Sequence, residues 1–219
     1  KRVKRHVLGT DPAQDAVVYE EEDDSFYMGL YRTRSEQFIC IGVQSTVSSE
    51  SRCTPAASPG EFRVLSKRQR DFHYSADHLD GRWVIRTDWE APNYRLMEAA
   101  NDAVYGRDNW KQLAAHDPQV FIEDIELFDG FIAIAERSEG LARIRILKPD
   151  GSSSHVAADE PAYAMDLGAN LMPDTDWLRY TYSSLATPPS TFELNVGSGE
   201  RRLLKQEEVS GYDPSNYVV

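Results

Sequence analysis

An apolar strand, a polar hairpin, a second strand, a turn and a third strand recur four times along this chain. The core strands open at Phe38, Trp83, Ile132 and Leu178, at intervals of 45, 49 and 46 residues. A period of this length, built from strand-like segments alone, is the signature of β-propeller blades. One blade is one sheet and cannot bury both of its faces by itself. Function in such an array sits on the loops at one end or on a partner domain, seldom within the repeats.

The predicted class is therefore all-β: a partial β-propeller of about four four-stranded antiparallel blades. Residues 1–26 are read as the end of a preceding blade and a link, with Lys1 to His6 either an outer strand or a frayed basic tail. Blades follow over 27–70, 71–116, 117–159 and 160–209, and 210–219 leads away. In the first blade the run FICIGV (38–43) is continuously apolar, as expected of a strand covered on both faces. Asp80-Gly81, Asp129-Gly130 and Asp150-Gly151 mark turns, the first of type I′ character. Helical signals are nearly absent. Residues 107–115 have the spacing for two helical turns, but the repeat predicts a strand at Trp110 to Leu113.

The ample aromatic content (8 Phe, 4 Trp, 11 Tyr) suits sheet packing. A net charge of −12 argues against nucleic acid or an anionic membrane as partner, since both demand basic surface. It favours solubility or the attraction of basic peptides. No segment is long and apolar enough to span a bilayer as a helix, and no signal peptide is visible. Both chain ends read as cuts within a larger protein. Cys40 and Cys53 lie either side of the Ser45–Ser48 turn. They are read as free thiols of a cytoplasmic protein, with a cross-strand disulfide, and the periplasm, as the alternatives.

Chemistry is scarce. There is no Gly-x-Ser-x-Gly elbow, and Gly197-Ser198-Gly199 has the wrong spacing for one. No cysteine pattern holds a metal, no glycine-rich loop cradles a phosphate, and no cofactor is expected. His73 and His78, five apart in a strand, point to opposite faces and make no metal pair. The acidic run Glu20 to Asp24 lacks the calcium-loop pattern and is expected to be solvated, or to draw cationic substrate. The pairs Lys67-Arg68 and Arg201-Arg202 are expected on solubilising outer strands.

Several stretches resemble propeller segments of oligopeptidase B, in order and along essentially the whole chain. They are Val18 to Glu21 with Asp23 to Phe26, Gly60 to Arg63, Tyr94 to Met97, Glu136 to Leu141, Tyr182 to Leu185 with Pro188, and Leu203 to Gln206 through Gly211 to Tyr217. The resemblance implies a serine peptidase of the prolyl oligopeptidase family. Such enzymes join a seven-bladed propeller to an α/β-hydrolase domain carrying Ser, Asp and His, and cleave short peptides after Lys or Arg. The propeller covers the active site and keeps folded proteins out. The hydrolase domain would be this segment's partner, and no catalytic residue falls within the present sequence. A non-catalytic propeller used as a binding scaffold is the alternative reading, and open blade edges imply possible self-association.

In each blade the second-to-third-strand hairpin and the link to the next blade share one end. Recognisable stretches cluster there, so that end is expected to meet the hydrolase domain or substrate. The candidate residues are Glu20, Glu21, Asp88, Arg137, Glu139, Ser183 and Ser184.

Overall fold

The computed structural model describes residues 1–213 and 216–217; Pro214, Ser215, Val218 and Val219, which include part of the closing turn, lie outside the described residues. The chain divides into two compact units, Lys1–Ala115 and His116–Val219. In the first, β1 (Arg2–Arg5) and β2 (Ala16–Glu20) form an antiparallel hairpin. Then come two sheets: β3 (Tyr27–Arg32), β4 (Phe38–Gln44), β5 (Ser49–Pro55) and β6 (Arg63–Val64), and β7 (Tyr74–Leu79), β8 (Arg82–Thr87), β9 (Arg95–Ala100) and β10 (Lys111–Ala114). The second unit holds β11 (Phe121–Leu127), β12 (Ile132–Ser138), β13 (Leu141–Leu147) and β14 (Ser153–His155), then β15 (Ala164–Leu167), β16 (Trp177–Ser183), β17 (Ser190–Asn195) and β18 (Arg201–Gln206). Each sheet has four strands in chain order, all antiparallel, as the repeat predicted.

The apolar runs explain the packing. In β8 and β12 consecutive residues are buried (Trp83, Val84 and Ile85; Ile132, Ala133 and Ile134), so both faces of those strands are covered. Strand β16 behaves differently. Leu178, Tyr180 and Tyr182 are buried while Thr181 between them is exposed, so only one face of that blade is covered within its unit. The core of the first unit joins its two blades through Cys40, Cys53, Leu65, Tyr74, Trp83 and Trp110. That of the second joins its two through Phe131, Ile144, Met165, Leu178 and Tyr180.

The hairpins obey local backbone chemistry. Asp80 and Gly81 have φ of 50° and 72°, the pair of left-handed residues that a type I′ turn needs. Glu139 and Gly140, at 52° and 81°, make a second such turn between β12 and β13. Neither Asp129 nor Gly130 is left-handed; their turn is closed by the Phe128 amide, which donates to Phe131 O at 2.9 Å, and the Asp129 amide donates to Pro173 O of the next blade at 3.0 Å.

Five expectations need correcting or refining. Lys1 to His6 is not a frayed tail: its Arg2–Arg5 segment is β1, paired with β2 in a two-stranded antiparallel sheet. The strand expected at Trp110 to Leu113 is present but set one residue later, as β10, after two short 3-10 turns at Asn101–Val104 and Arg107–Asn109, and the Trp110 indole donates to Val104 O at 2.9 Å. Cys40 and Cys53 are bonded: adjacent strands β4 and β5 set them directly opposite, 4.1 Å apart at Cα. The acidic run is not wholly solvated, because Glu21 is buried. Arg68 is on no strand; it lies in the link between β6 and β7 and pairs with Glu21.

Candidate functional site

The antiparallel order places the second-to-third-strand hairpins and the inter-blade links at the same end of each sheet. In the first unit this end carries residues 21–26, 45–48, 65–73 and 88–94. Glu20 is exposed and ion-pairs with Arg2 at 2.7 Å. Glu21 accepts two hydrogen bonds from the Arg68 guanidinium, at 2.7 and 3.2 Å, one from the Tyr19 hydroxyl and one from the Asp23 amide. The Arg68 hydrogen bonds hold its carboxyl well below the usual range, at about 2, against the opposing effect of burial. Arg68 lies over the Phe26 ring as well.

Asp88 closes the neighbouring hairpin. Its Oδ1 accepts the His73 amide at 2.7 Å and its Oδ2 lies 3.0 Å from His73 Nδ1. Trp89 follows, with the Arg95 and Arg107 guanidinium groups each 5.2 Å from its ring. Tyr74 and Ser49 fasten the two blades to each other. The Tyr74 hydroxyl accepts the Ser51 and Ser66 amides and donates to Ser66 O, while Ser49 Oγ accepts the Tyr74 amide and donates to Tyr74 O. Burial pushes the Tyr74 phenol far above its ordinary value.

In the second unit Arg137, exposed on β12, ion-pairs with Glu123 at 2.9 Å. Glu139 sits in its left-handed turn and pairs with Arg143 at 2.6 Å. Ser183 ends β16, and Ser184 begins a tight hairpin organised by a residue the sequence reading passed over, Glu160. This carboxylate accepts the hydroxyls of Tyr182, Ser184 and Thr187 at 2.6, 2.8 and 2.9 Å. Burial works against its ionisation, but the three hydroxyls outweigh it and hold its carboxyl below the usual range. Ser184 Oγ also accepts the amides of Ala186 and Thr187. The result is a rigid loop that presents Leu185, 92% exposed, at its tip. Beside it, on the open side of the blade, a depression of about 700 Å³ is lined by Asp166, Thr181, Ser183, Lys205 and Glu207 among others.

The structure thus brings Glu20 and Glu21 to the same end of the first unit as Asp88, and Arg137 and Glu139 to the same end of the second as Ser183 and Ser184. It does not gather them into a constellation for bond breaking. Each of these side chains except Ser183 has a hydrogen-bond or ion-pair partner already described. The closest approach to a proton relay is elsewhere: Ser35 Oγ lies 2.7 Å from His78 Nδ1, and His78 Nε2 lies 2.6 Å from Asn101 Oδ1. The ring is fully buried between Phe38 and Trp83, and Ser35 Oγ already accepts the Gln37 amide, so this chain of groups ties two blades together. Among the described residues no group of three or more His, Cys, Asp or Glu is set to hold a metal ion.

Comparison with known proteins matches residues 1–207 to the family model described as "Prolyl oligopeptidase, N-terminal beta-propeller domain". Dipeptidyl aminopeptidase BI of Pseudoxanthomonas mexicana is 58% identical over 220 residues, covering 100% of this chain and 30% of that protein. Protease 2 of Moraxella lacunata is 28% identical over 215 residues, covering 97% of this chain and 31% of that protein. The chain therefore spans about a third of the length of these relatives. Among solved structures, oligopeptidase B from Leishmania major superposes with a TM-score of 0.89 at 26% identity, over 98% of this chain and 32% of that one. Oligopeptidase B from Trypanosoma brucei, closed and with covalently bound antipain, gives a TM-score of 0.90 at 24% identity, over 99% and 32%.

Proposed function

Since the chain belongs to the prolyl oligopeptidase family, as its N-terminal β-propeller domain, we propose that it is the access-controlling part of a serine peptidase that cleaves short peptides after Lys or Arg. Its partner is the α/β-hydrolase domain of the same protein, where the serine attacks the scissile carbonyl, the histidine acts as base and an oxyanion hole receives the developing charge. The observation that carries this reading is the 58% identity, across the whole chain, to the matching third of a peptidase.

The geometry adds support in two ways. Hairpins fixed as firmly as residues 183–189 suit a surface that must hold a neighbouring domain in register, because little ordering entropy is lost on contact. The net charge of −12 gives a field that draws basic peptides. Buried Glu21 adds nothing to that attraction, as Arg68 neutralises it; the exposed acids carry it.

The test uses the full-length enzyme. Arg137→Ala, Glu139→Lys and Ser184→Ala are each expected to lower kcat/KM on a short Arg-containing peptide severalfold, and to alter interdomain protection in hydrogen exchange. Unchanged turnover together with unchanged protection overturns the assignment of this end to the domain contact. Raising the ionic strength is expected to lower kcat/KM for basic peptides more than for neutral ones.

A further inference from the structure

The Cys40–Cys53 bond is unlike an exposed regulatory disulfide. Both residues are 0% exposed, set in the core that joins the first unit's two blades, beside Leu65, Tyr74 and Trp83. Among the described residues there is no free cysteine, so no third thiol of this segment stands ready to exchange with the bond. A reductant reaches neither sulfur unless the two blades separate. Proteins of the reducing cytosol seldom keep such bonds, and those that do use them in redox chemistry, which requires access.

We infer that Cys40–Cys53 is a permanent cross-link formed outside the reducing cytoplasm, before the first blade closes on the second, and that the protein works in that oxidising compartment. The chemistry is ordinary thiol–disulfide exchange. One cysteine thiolate attacks the disulfide of an oxidant carrying a reactive cystine and releases one of its thiolates, which leaves a mixed disulfide. The second cysteine thiolate displaces the oxidant's other sulfur. The chain loses two protons and two electrons, and the oxidant leaves as a dithiol. Both sulfurs must be accessible for these steps, and in the closed core neither is. Oxidation therefore precedes packing of Leu65, Tyr74 and Trp83 around the pair. This inference does not depend on the peptidase reading.

The sequence supplies a clean assay, because Arg52 immediately precedes Cys53. Trypsin separates residues 35–52, which hold Cys40, from residues 53–63, which hold Cys53. Full-length protein is taken from fractionated producing cells, acid-quenched, alkylated in denaturant without reductant and digested. The expected result is one cross-linked peptide pair that resolves into two only after reduction, recovered from the periplasmic or extracellular fraction. Two alkylated cysteines in the native protein overturn the bond. A linked pair found only in the cytoplasmic fraction overturns the compartment.

Discussion

Glu21 and Arg68 are joined by two hydrogen bonds, of 2.7 and 3.2 Å, across 47 residues of chain. The carboxylate is 3% exposed and the guanidinium 32%, so the pair is shielded on the acid's side. It ties the link that enters the first blade to the link that leaves it.

Removing one partner strands the other. Arg68→Ala leaves an uncompensated buried carboxylate and is expected to cost about 3 kcal/mol, the low end for breaking a buried pair because the arginine is partly wet. Urea midpoints of the wild type and variant measure it. The pH dependence has a definite sign. The folded-state pKa of Glu21 is depressed, so its contribution is complete above the ordinary carboxylate range and is lost as pH falls towards about 2. In Arg68→Ala that acid-side loss should be smaller. An unchanged acid profile would count against this account.

Tyr74→Phe tests the fastening between blades. The ring stays in the core, but the amides of Ser51 and Ser66 and the carbonyl of Ser66 lose their partner. The expected loss is about 1–3 kcal/mol, the cost of leaving a buried polar group unpaired. It should appear as a lower denaturation midpoint with little change in far-ultraviolet circular dichroism at neutral pH.

His78 predicts a second pH effect. Burial holds its imidazole below the usual value, against the opposing influence of Asn101 and Asp77. Above the usual imidazole pKa both folded and unfolded rings are neutral and nothing changes. As pH falls below it, the unfolded chain binds a proton that the folded ring refuses, and stability drops by at most about 1.4 kcal/mol per pH unit. Asp77, whose carboxyl burial raises, acts in the opposite sense: the folded form keeps its proton longer, and stability from that source is lost as pH rises. His78→Gln should flatten the stability curve just below the usual imidazole pKa while leaving the Asp77 region in place. Chemical denaturation at closely spaced pH values resolves the two.

The blades were legible because local rules made them. Apolar runs such as 38–43 and turn pairs such as Asp80-Gly81 act over a few residues, and their recurrence announced the sheets. What stayed hidden depends on contacts between segments far apart in sequence. Nothing in the run Glu20 to Asp24 distinguishes Glu21 from its neighbours until Arg68 reaches it. Ser184 was legible as part of a resembling stretch, but Glu160, which gives its loop rigidity, has no local signature. The cysteine pair was visible as a hairpin alternative. A general rule about compartments argued against the bond, and strand register decided for it.

The strictly sequential strand order also bears on how the chain acquires its structure. In every four-stranded sheet each strand pairs with the one before it, so each pairing closes only the loop between consecutive strands. The entropy of such a closure grows slowly with length and stays small here. Contacts of short sequence separation favour rapid folding, whereas sandwiches and barrels, whose pairings span distant strands, are slow. The blade seams, such as Ser49 to Tyr74, 25 positions apart, add the next range of separation. A polypeptide built this way can complete each sheet from its own four strands, without waiting for its distant end.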